Sequence, residues 1–375
     1  MKKTTTFKRF MLVMLAVLMI ASFSMMAACE KSGGDAATTP AASDGDEGPD
    51  ITKPTEVTGK DIYNEPIKLL YVPIGDAGPA YEMGVYALKD SLKFTPNITL
   101  DVKPGEYDPT KQAAILQEGV TQGYDAIFAE CMDPVVSAGP VEAAEAAGIP
   151  FISINLNSEA VHTLHIQGND YKSGQEAAKI LGAALGGKGK VLTGNGPAAQ
   201  QATNQMVVGF NEGIAANYPD IEILGDLPTE GWQADEANKQ MSDALTKYDT
   251  IDGVYCASDD IADGYISALT TAGREKDTLV YGSMGYPAAL QRIKDGTQFG
   301  SYFSDVYGEY QTIIYQALYF IENGISSKSL GLKSTPLLDQ PTTPITKDGK
   351  IEGSVDVQTV IDNSRWKTVM PDAFK

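Results

Sequence analysis

From residue 66 onward the sequence repeats one unit: a short, apolar, β-rich run followed by a stretch whose apolar residues recur at helical spacing. The runs are Lys68–Val72, Ile98–Val102, Asp125–Ala129, Pro150–Ile154, Lys190–Thr193, Ile221–Leu224, Gly253–Ala257, Leu279–Gly282 and Phe299–Phe303. Helical patterns occupy Gln112–Thr121, Val141–Ala147, Ser173–Leu185 and Ala234–Lys247 between them. Strands that are apolar on both faces must be covered on both faces, and alternating helices supply the cover. The expected fold class is therefore α/β with parallel sheets. About ten strands is too many for one open sheet of this kind, so two doubly wound lobes are expected. In such sheets ligands bind beyond the carboxyl ends of the strands. The residues there are the candidates for a site.

Composition narrows the function. The chain has 375 residues, 43% hydrophobic and 21% charged, as a globular protein does. Lys and Arg number 29 against 49 Asp and Glu, a net charge of -20 that repels phosphate backbones and excludes nucleic acid as a partner. Three cysteines make neither a disulfide framework nor a zinc pattern. Cys131 and Cys256 fall at strand ends in opposite lobes, and both are expected as free, buried thiols. The two histidines, His162 and His165, are expected to be surface or internally satisfied residues.

The N-terminus indicates a destination. Lys2, Lys3, Lys8 and Arg9 precede an uncharged run from Phe10 to Ala28, the pattern of a secretory signal. An uncleaved transmembrane anchor is the alternative. Met26-Ala27-Ala28-Cys29 resembles the bacterial lipobox, which implies cleavage after residue 28 and lipidation of Cys29. The mature chain then carries a charge of -24. Residues 29–65, rich in Gly, Ala, Thr, Asp and Pro, read as a lipid-bearing flexible tether. The body is thus expected outside the cytoplasmic membrane, anchored to its outer face.

Segments of the body, in order, carry a resemblance. "GVTQGYDAIFAE", "AAEAAGIPFISIN", "GNDYKSGQEAAKIL", "GKVLTGNG", "VVGFNEGI", "GVYCASDDIADGYISAL" and "YGSMGYPAALQRIKDG" are similar to the type I periplasmic sugar-binding proteins, the ribose- and galactose-binding family. The resemblance spans roughly residues 66–345. It implies two similar lobes joined by three crossovers, a monomer, and delivery of solute to an ABC importer, with lipid anchoring in Gram-positive bacteria. Crossovers are expected near Asn155–Ser158, Met284–Tyr286 and Ser304–Val306. These divide the chain into a first lobe (66–155 plus 286–304), a second lobe (156–285 plus 305–345) and a C-terminal extension (346–375).

The same resemblance implies site residues, and several depart from the family pattern. Where ribose-type relatives have Asp-Arg after the fourth strand, this chain has Asn155-Leu156. Met206 takes the place of an arginine. Gly282-Ser283-Met284-Gly285 replaces a Gly-Phe-Asp-Gly turn, and Ser258-Asp259 an Asn-Asp pair. Trp232 keeps an aromatic where relatives stack on the sugar ring, and Asp305-Val306 resembles the autoinducer- and rhamnose-binding branch. Met206 and Met284 either soften the pocket or belong to the core. Strand ends add Asp76 and Tyr81, as ligand acceptor and stacking face or as helix cap and packing residue. Glu130, with Asp133, is a pocket acceptor or a solvated acid or cap. Asp259, Asp260 and Asp263 at a helix start complement the helix dipole, and no metal site is expected.

Loss of an arginine together with an aspartate leaves the charge balanced, so the expected cargo is a small neutral solute. A sugar or sugar-like molecule fits first; a deoxysugar, a nucleoside or a furanosyl quorum signal suits Trp232 and the thioethers. Import and sensing share one closing mechanism and are not separated by sequence. An exported enzyme is the least favoured class. Gly194-Asn195-Gly196-Pro197-Ala198-Ala199 matches a dinucleotide fingerprint, but Pro197 removes a donor and an exported protein rarely meets NAD. Gly282-Ser283-Met284-Gly285 is not a nucleophile elbow, and no histidine is placed to serve it. No catalytic residue and no cofactor are expected.

Overall fold

The computed structural model describes residues 59–196, 201–229 and 232–374. The signal, Cys29 and nearly all of the tether lie outside the described residues. Among the described residues no helix is long and apolar enough to cross a membrane.

Two sheets organise the body. The first contains β1 (Ile67–Val72), β2 (Ile98–Val102), β3 (Ala126–Ala129), β4 (Phe151–Ile154), β5 (Leu164–Gly168) and β11 (Leu337–Gln340), in the order β11-β5-β4-β3-β1-β2 and parallel throughout. The second contains β6 (Lys188–Asn195), β7 (Asp220–Pro228), β8 (Gly253–Cys256), β9 (Leu279–Tyr281), β10 (Gly300–Ser304), β12 (Thr342–Thr346) and β13 (Val355–Asp356), in the order β13-β12-β10-β9-β8-β6-β7. Only β12 runs antiparallel to its neighbour β10. Helices α1 (Pro79–Leu92), α2 (Pro109–Thr121) and α3 (Ala138–Ala146) follow the strands of the first sheet. Helices α4 (Asp170–Ala184), α5 (Gln201–Asn217), α6 (Ala234–Lys247), α7 (Asp259–Thr271) and α8 (Pro287–Asp295) serve the second. All nine sequence-read strands are present, and the central ones (Leu69 to Val72, Ile127, Phe128, Phe151, Val254, Tyr255) are buried on both faces, as parallel strands between helices must be.

The crossovers differ from expectation at two of three places. The chain leaves the first sheet after β5, between Gly168 and Asp170, and not at Asn155–Ser158. It crosses at Ser304–Val306, the expected place but in the opposite sense, returning to the first lobe through α9 (Val306–Asn323), which packs on α1. It crosses again between β11 and β12, at Gln340–Thr342, and not at Met284–Tyr286. Residues 286–304 therefore belong to the second lobe. Residues 305–340, with α9, α10 (Ser327–Leu330) and β11, belong to the first.

Both corrections have the same cause. β5 reads Leu-His-Ile-Gln-Gly, too polar to look like a buried strand; it is held by β4 and by β11. β10 stays in the second sheet because β12, a Thr-Thr-Pro-Ile-Thr run with no β-like apolar pattern, pairs with all five of its residues. The first and third crossovers lie together: Asn169 donates from Nδ2 to Asp339 Oδ2 at 3.1 Å, and the Ser173 and Thr342 hydroxyls meet at 2.9 Å.

The C-terminal residues are no appendage. In α11 (Val357–Asn363) and α12 (Trp366–Val369), Val357, Val360, Ile361 and Trp366 join a core cluster that includes Ile67, Leu69 and Tyr310 of the first lobe. α11 packs on α8 of the second lobe, and α12 on α1 of the first.

Candidate functional site

The candidate site residues are read at the carboxyl ends of the two sheets. In the first lobe, Gln112 ties the strand ends together: its Nε2 donates to the Glu130 carbonyl at 2.8 Å and its Oε1 accepts from Met132 N at 2.9 Å. Glu130, directly after β3, accepts from the Tyr310 hydroxyl at 2.6 Å and from Ile74 N at 3.4 Å. The Tyr310 proton is committed to that carboxylate, so Tyr71 donates to Tyr310 across 2.8 Å. This buried relay fixes Glu130, and desolvation raises its carboxyl above the usual range.

Two further acids stand at the crossovers. Glu309, in the first turn of α9, is 1% exposed, and neither of its carboxylate oxygens has a hydrogen-bond partner. Burial is the main cause lifting its carboxyl to about 8, with the negative charges of Glu130, Asp170 and Asp305 adding to it. The Asn155 side chain favours the ionised form without closing a hydrogen bond of ordinary geometry. Asp170, at the start of α4 in the second lobe, is 8% exposed and lifted to about 7 by burial and by Asp339. The sequence reading passed over both, although "GNDYKSGQ" contains Asp170 and "FSDVYGEY" contains Glu309.

The second lobe faces them with aromatic and sulfur groups. The Tyr302 hydroxyl, on β10, points to Met284 Sδ at 3.5 Å and Met206 Sδ at 3.9 Å. Both methionines therefore contact one buried tyrosine; Met206 is a core residue and Met284 is half-buried. Trp232 packs on the turn after β6, so tightly that a Cβ on Gly196 would lie 2.4 Å from its indole. Residues 197–199, the rest of the glycine fingerprint, lie outside the described residues.

Backbone strain marks the same places. Asn155, Trp232 and Met284 adopt φ of 53°, 58° and 95°, in the left-handed region that disfavours side chains. Such strain persists where surrounding structure enforces it, commonly at ligand clamps. Glu106 and Tyr107 are the other described non-glycine residues with positive φ.

The remaining candidates divide. Ser258 caps α7, accepting from Ile261 N at 3.1 Å. Asp259 is buried in an internal network, accepting from Ser301 Oγ (2.9 Å), Gln298 Nε2 (3.1 Å) and Tyr286 N (3.0 Å). It braces the turn after β9: a Cβ on Gly282 would lie 2.1 Å from its Oδ1. Asp305 caps α9 through Gly308 N and is exposed. Asp133 accepts from Val135 N and Val136 N. Asp76 is exposed and does not cap α1, whose N-cap is Gly78 without a side-chain bond; Tyr81 is half-buried in that helix.

Cys131 and Cys256 are free and buried in different lobes, as expected. The histidines are wholly internal. His162 Nε2 and His165 Nδ1 both meet Ser153 Oγ, at 2.6 and 2.7 Å, and burial lowers both, His162 to about 4.

Two parallel α/β lobes, three crossovers and polar groups gathered at the strand ends between them define a two-lobed solute-binding protein. The model of the periplasmic binding protein domain matches residues 80–324, and the chain belongs to that family, whose members bind solutes and are not enzymes. A xylitol-binding protein of Mycolicibacterium smegmatis is 31% identical over 210 residues, 55% of this chain and 58% of that protein. A putative rhizopine-binding protein of Rhizobium meliloti is 27% identical over 229 residues, 59% of this chain and 74% of that one. The match thus spans less than two thirds of the xylitol-binding relative. Among solved structures, the Caulobacter myo-inositol binding protein bound to myo-inositol shares the fold with a TM-score of 0.68 at 21% identity, covering 78% of this chain and 97% of that one.

Proposed function

We propose that the protein captures a sugar or polyol between its lobes outside the cytoplasmic membrane and delivers it to an ABC importer. The observation that carries the reading is the convergence of Glu130, Asn155 and Glu309 from the first lobe with Asp170 from the second at the strand ends. The names of the relatives, which include xylitol-binding and ribose import binding proteins, support this solute class. Trp232, Met284 and Tyr81 are assigned as apolar contacts, with Asn155 and Glu130 as polar ones. Ser258, Asp259 and Asp305 are assigned to holding the local backbone.

A thermal-shift screen of the purified chain against pentoses, hexoses, polyols, cyclitols, nucleosides and quorum furanones tests the reading. A ligand confined to the folded state adds about 2.7 kcal/mol at a hundredfold excess over its Kd. A shift from sugars or polyols is expected. A shift from nucleosides or furanones alone overturns the solute class.

Residues 1–28 are assigned as a lipoprotein signal and 29–65 as a lipidated tether. Metabolic labelling with a fatty-acid alkyne is expected to mark the wild type and not Cys29→Ser.

A further inference from the structure

We infer that the solute carries an ammonium group, as an amino sugar or aminocyclitol does, and that Glu309 is its principal partner. This rests on the solute-binding reading and sharpens it. The carrying observation is Glu309 itself, a buried carboxyl with both oxygens unpartnered. A buried acceptor without a donor is costly, and a buried charge without a counter-charge more so.

The groups that face it offer no relief. Glu130 approaches from the end of β3, Asp170 from α4 across the lobes and Asp305 from its own N-cap, all acidic. Asn155, Tyr71 and Tyr310 are neutral, and the Tyr310 proton already belongs to Glu130. The second lobe adds Tyr286, and beyond it Tyr302 beside Asp170, with Met206 and Met284 on the Tyr302 hydroxyl; none of these brings a positive charge. Among the described residues no three His, Cys, Asp or Glu side chains are placed to hold a metal ion. Only when ionised does Glu309 lack a counter-charge in the protein, and an organic cation is the group that would supply one, with its hydroxyls free to donate to Glu130 and Asp170. Because burial holds the Glu309 carboxyl near 8, it is largely protonated at neutral pH and loses that proton to solvent when an ammonium arrives.

The test is calorimetry on the purified chain at pH 7 with matched pairs: D-glucosamine against D-glucose, and an aminodeoxyinositol against myo-inositol. For at least one pair the amine is expected to bind about tenfold or more tightly than its hydroxyl partner, the scale of one charged hydrogen bond. Titration in two buffers of different ionisation enthalpy is expected to show proton release. Glu309→Gln is expected to bring the pair to within about threefold and abolish that release. If this variant does not fold, Asp170→Asn serves the same comparison and is expected to narrow the preference. Equal or tighter binding of the neutral partner overturns the inference while leaving the solute-binding reading standing. Binding by no member of either pair, with no response to the wider panel, overturns both.

Discussion

At Glu309 two physical tendencies conflict: the first turn of helix α9 favours an acid, and the surroundings of that turn are buried and already acidic. Helix N-termini favour carboxylates, but burial beside Glu130 and Asp170 outweighs the dipole and raises the carboxyl to about 8. A folded-state value above the unfolded one means the folded chain holds the proton more tightly. The contribution is thus most favourable below about pH 4.5 and is lost as pH rises to about 8. Urea denaturation of the solute-free protein is expected to show Glu309→Gln more stable than wild type at pH 8, with the difference shrinking toward pH 5. His162 has the opposite sign. Its folded-state value of about 4 lies below the usual 6.5, so the unfolded chain takes up the proton first. Stability is lost as pH falls from 6.5 toward 4, and His162→Gln is expected to flatten that limb of the curve. Neither residue's state was legible in sequence, because a charge on its own says nothing of what will face it. The spacing of Asp305 and Glu309 at a helix start looks like capping, and for Asp305 that is what it is.

Elements were legible where burial is two-sided and opaque where pairing alone holds the strand. β1, β3, β4 and β8 declare themselves through unbroken apolar runs; β5 and β12 carry polar or threonine-rich residues and exist because a neighbour's backbone accepts them. The C-terminal helices were opaque for another reason: α12 has four residues, too short for periodicity to show. Its weight lies in Trp366, 1% exposed, whose ring meets Tyr286 edge-on at 6.2 Å. Arg365 lies over the Tyr307 ring at 5.3 Å, and Tyr307 donates to Asp90 at 2.6 Å. Truncating a buried tryptophan removes both apolar burial and packing. Trp366→Ala is expected to cost about 3–5 kcal/mol, seen as a lower denaturation midpoint with an unchanged slope.

For the whole molecule, the sequence established that there are two lobes, and pairing decided where the chain passes between them. The family resemblance located Ser304–Val306 as a crossover but gave it the opposite sense, because the chain enters the first lobe there. The other two crossovers sit beside β5 and β12, the strands whose sequences do not look like strands. This arrangement places acids on both lobes, with Glu130 and Glu309 on the first and Asp170 on the second. On the proposed reading, in which the lobes close on the solute, ionisation of these carboxyls accumulates like charge between the lobes and shifts the balance toward open. Folded-state values of about 7 for Asp170 and about 8 for Glu309 put that shift in the neutral range. Small-angle scattering of solute-free protein is therefore expected to show a larger radius of gyration at pH 8.5 than at pH 6. The double variant Asp170→Asn, Glu309→Gln is expected to keep the smaller value at both. A wild-type radius that does not change with pH would place Glu309's burial within its own lobe and leave closure to the solute's hydroxyls and the apolar face of Trp232 and Met284.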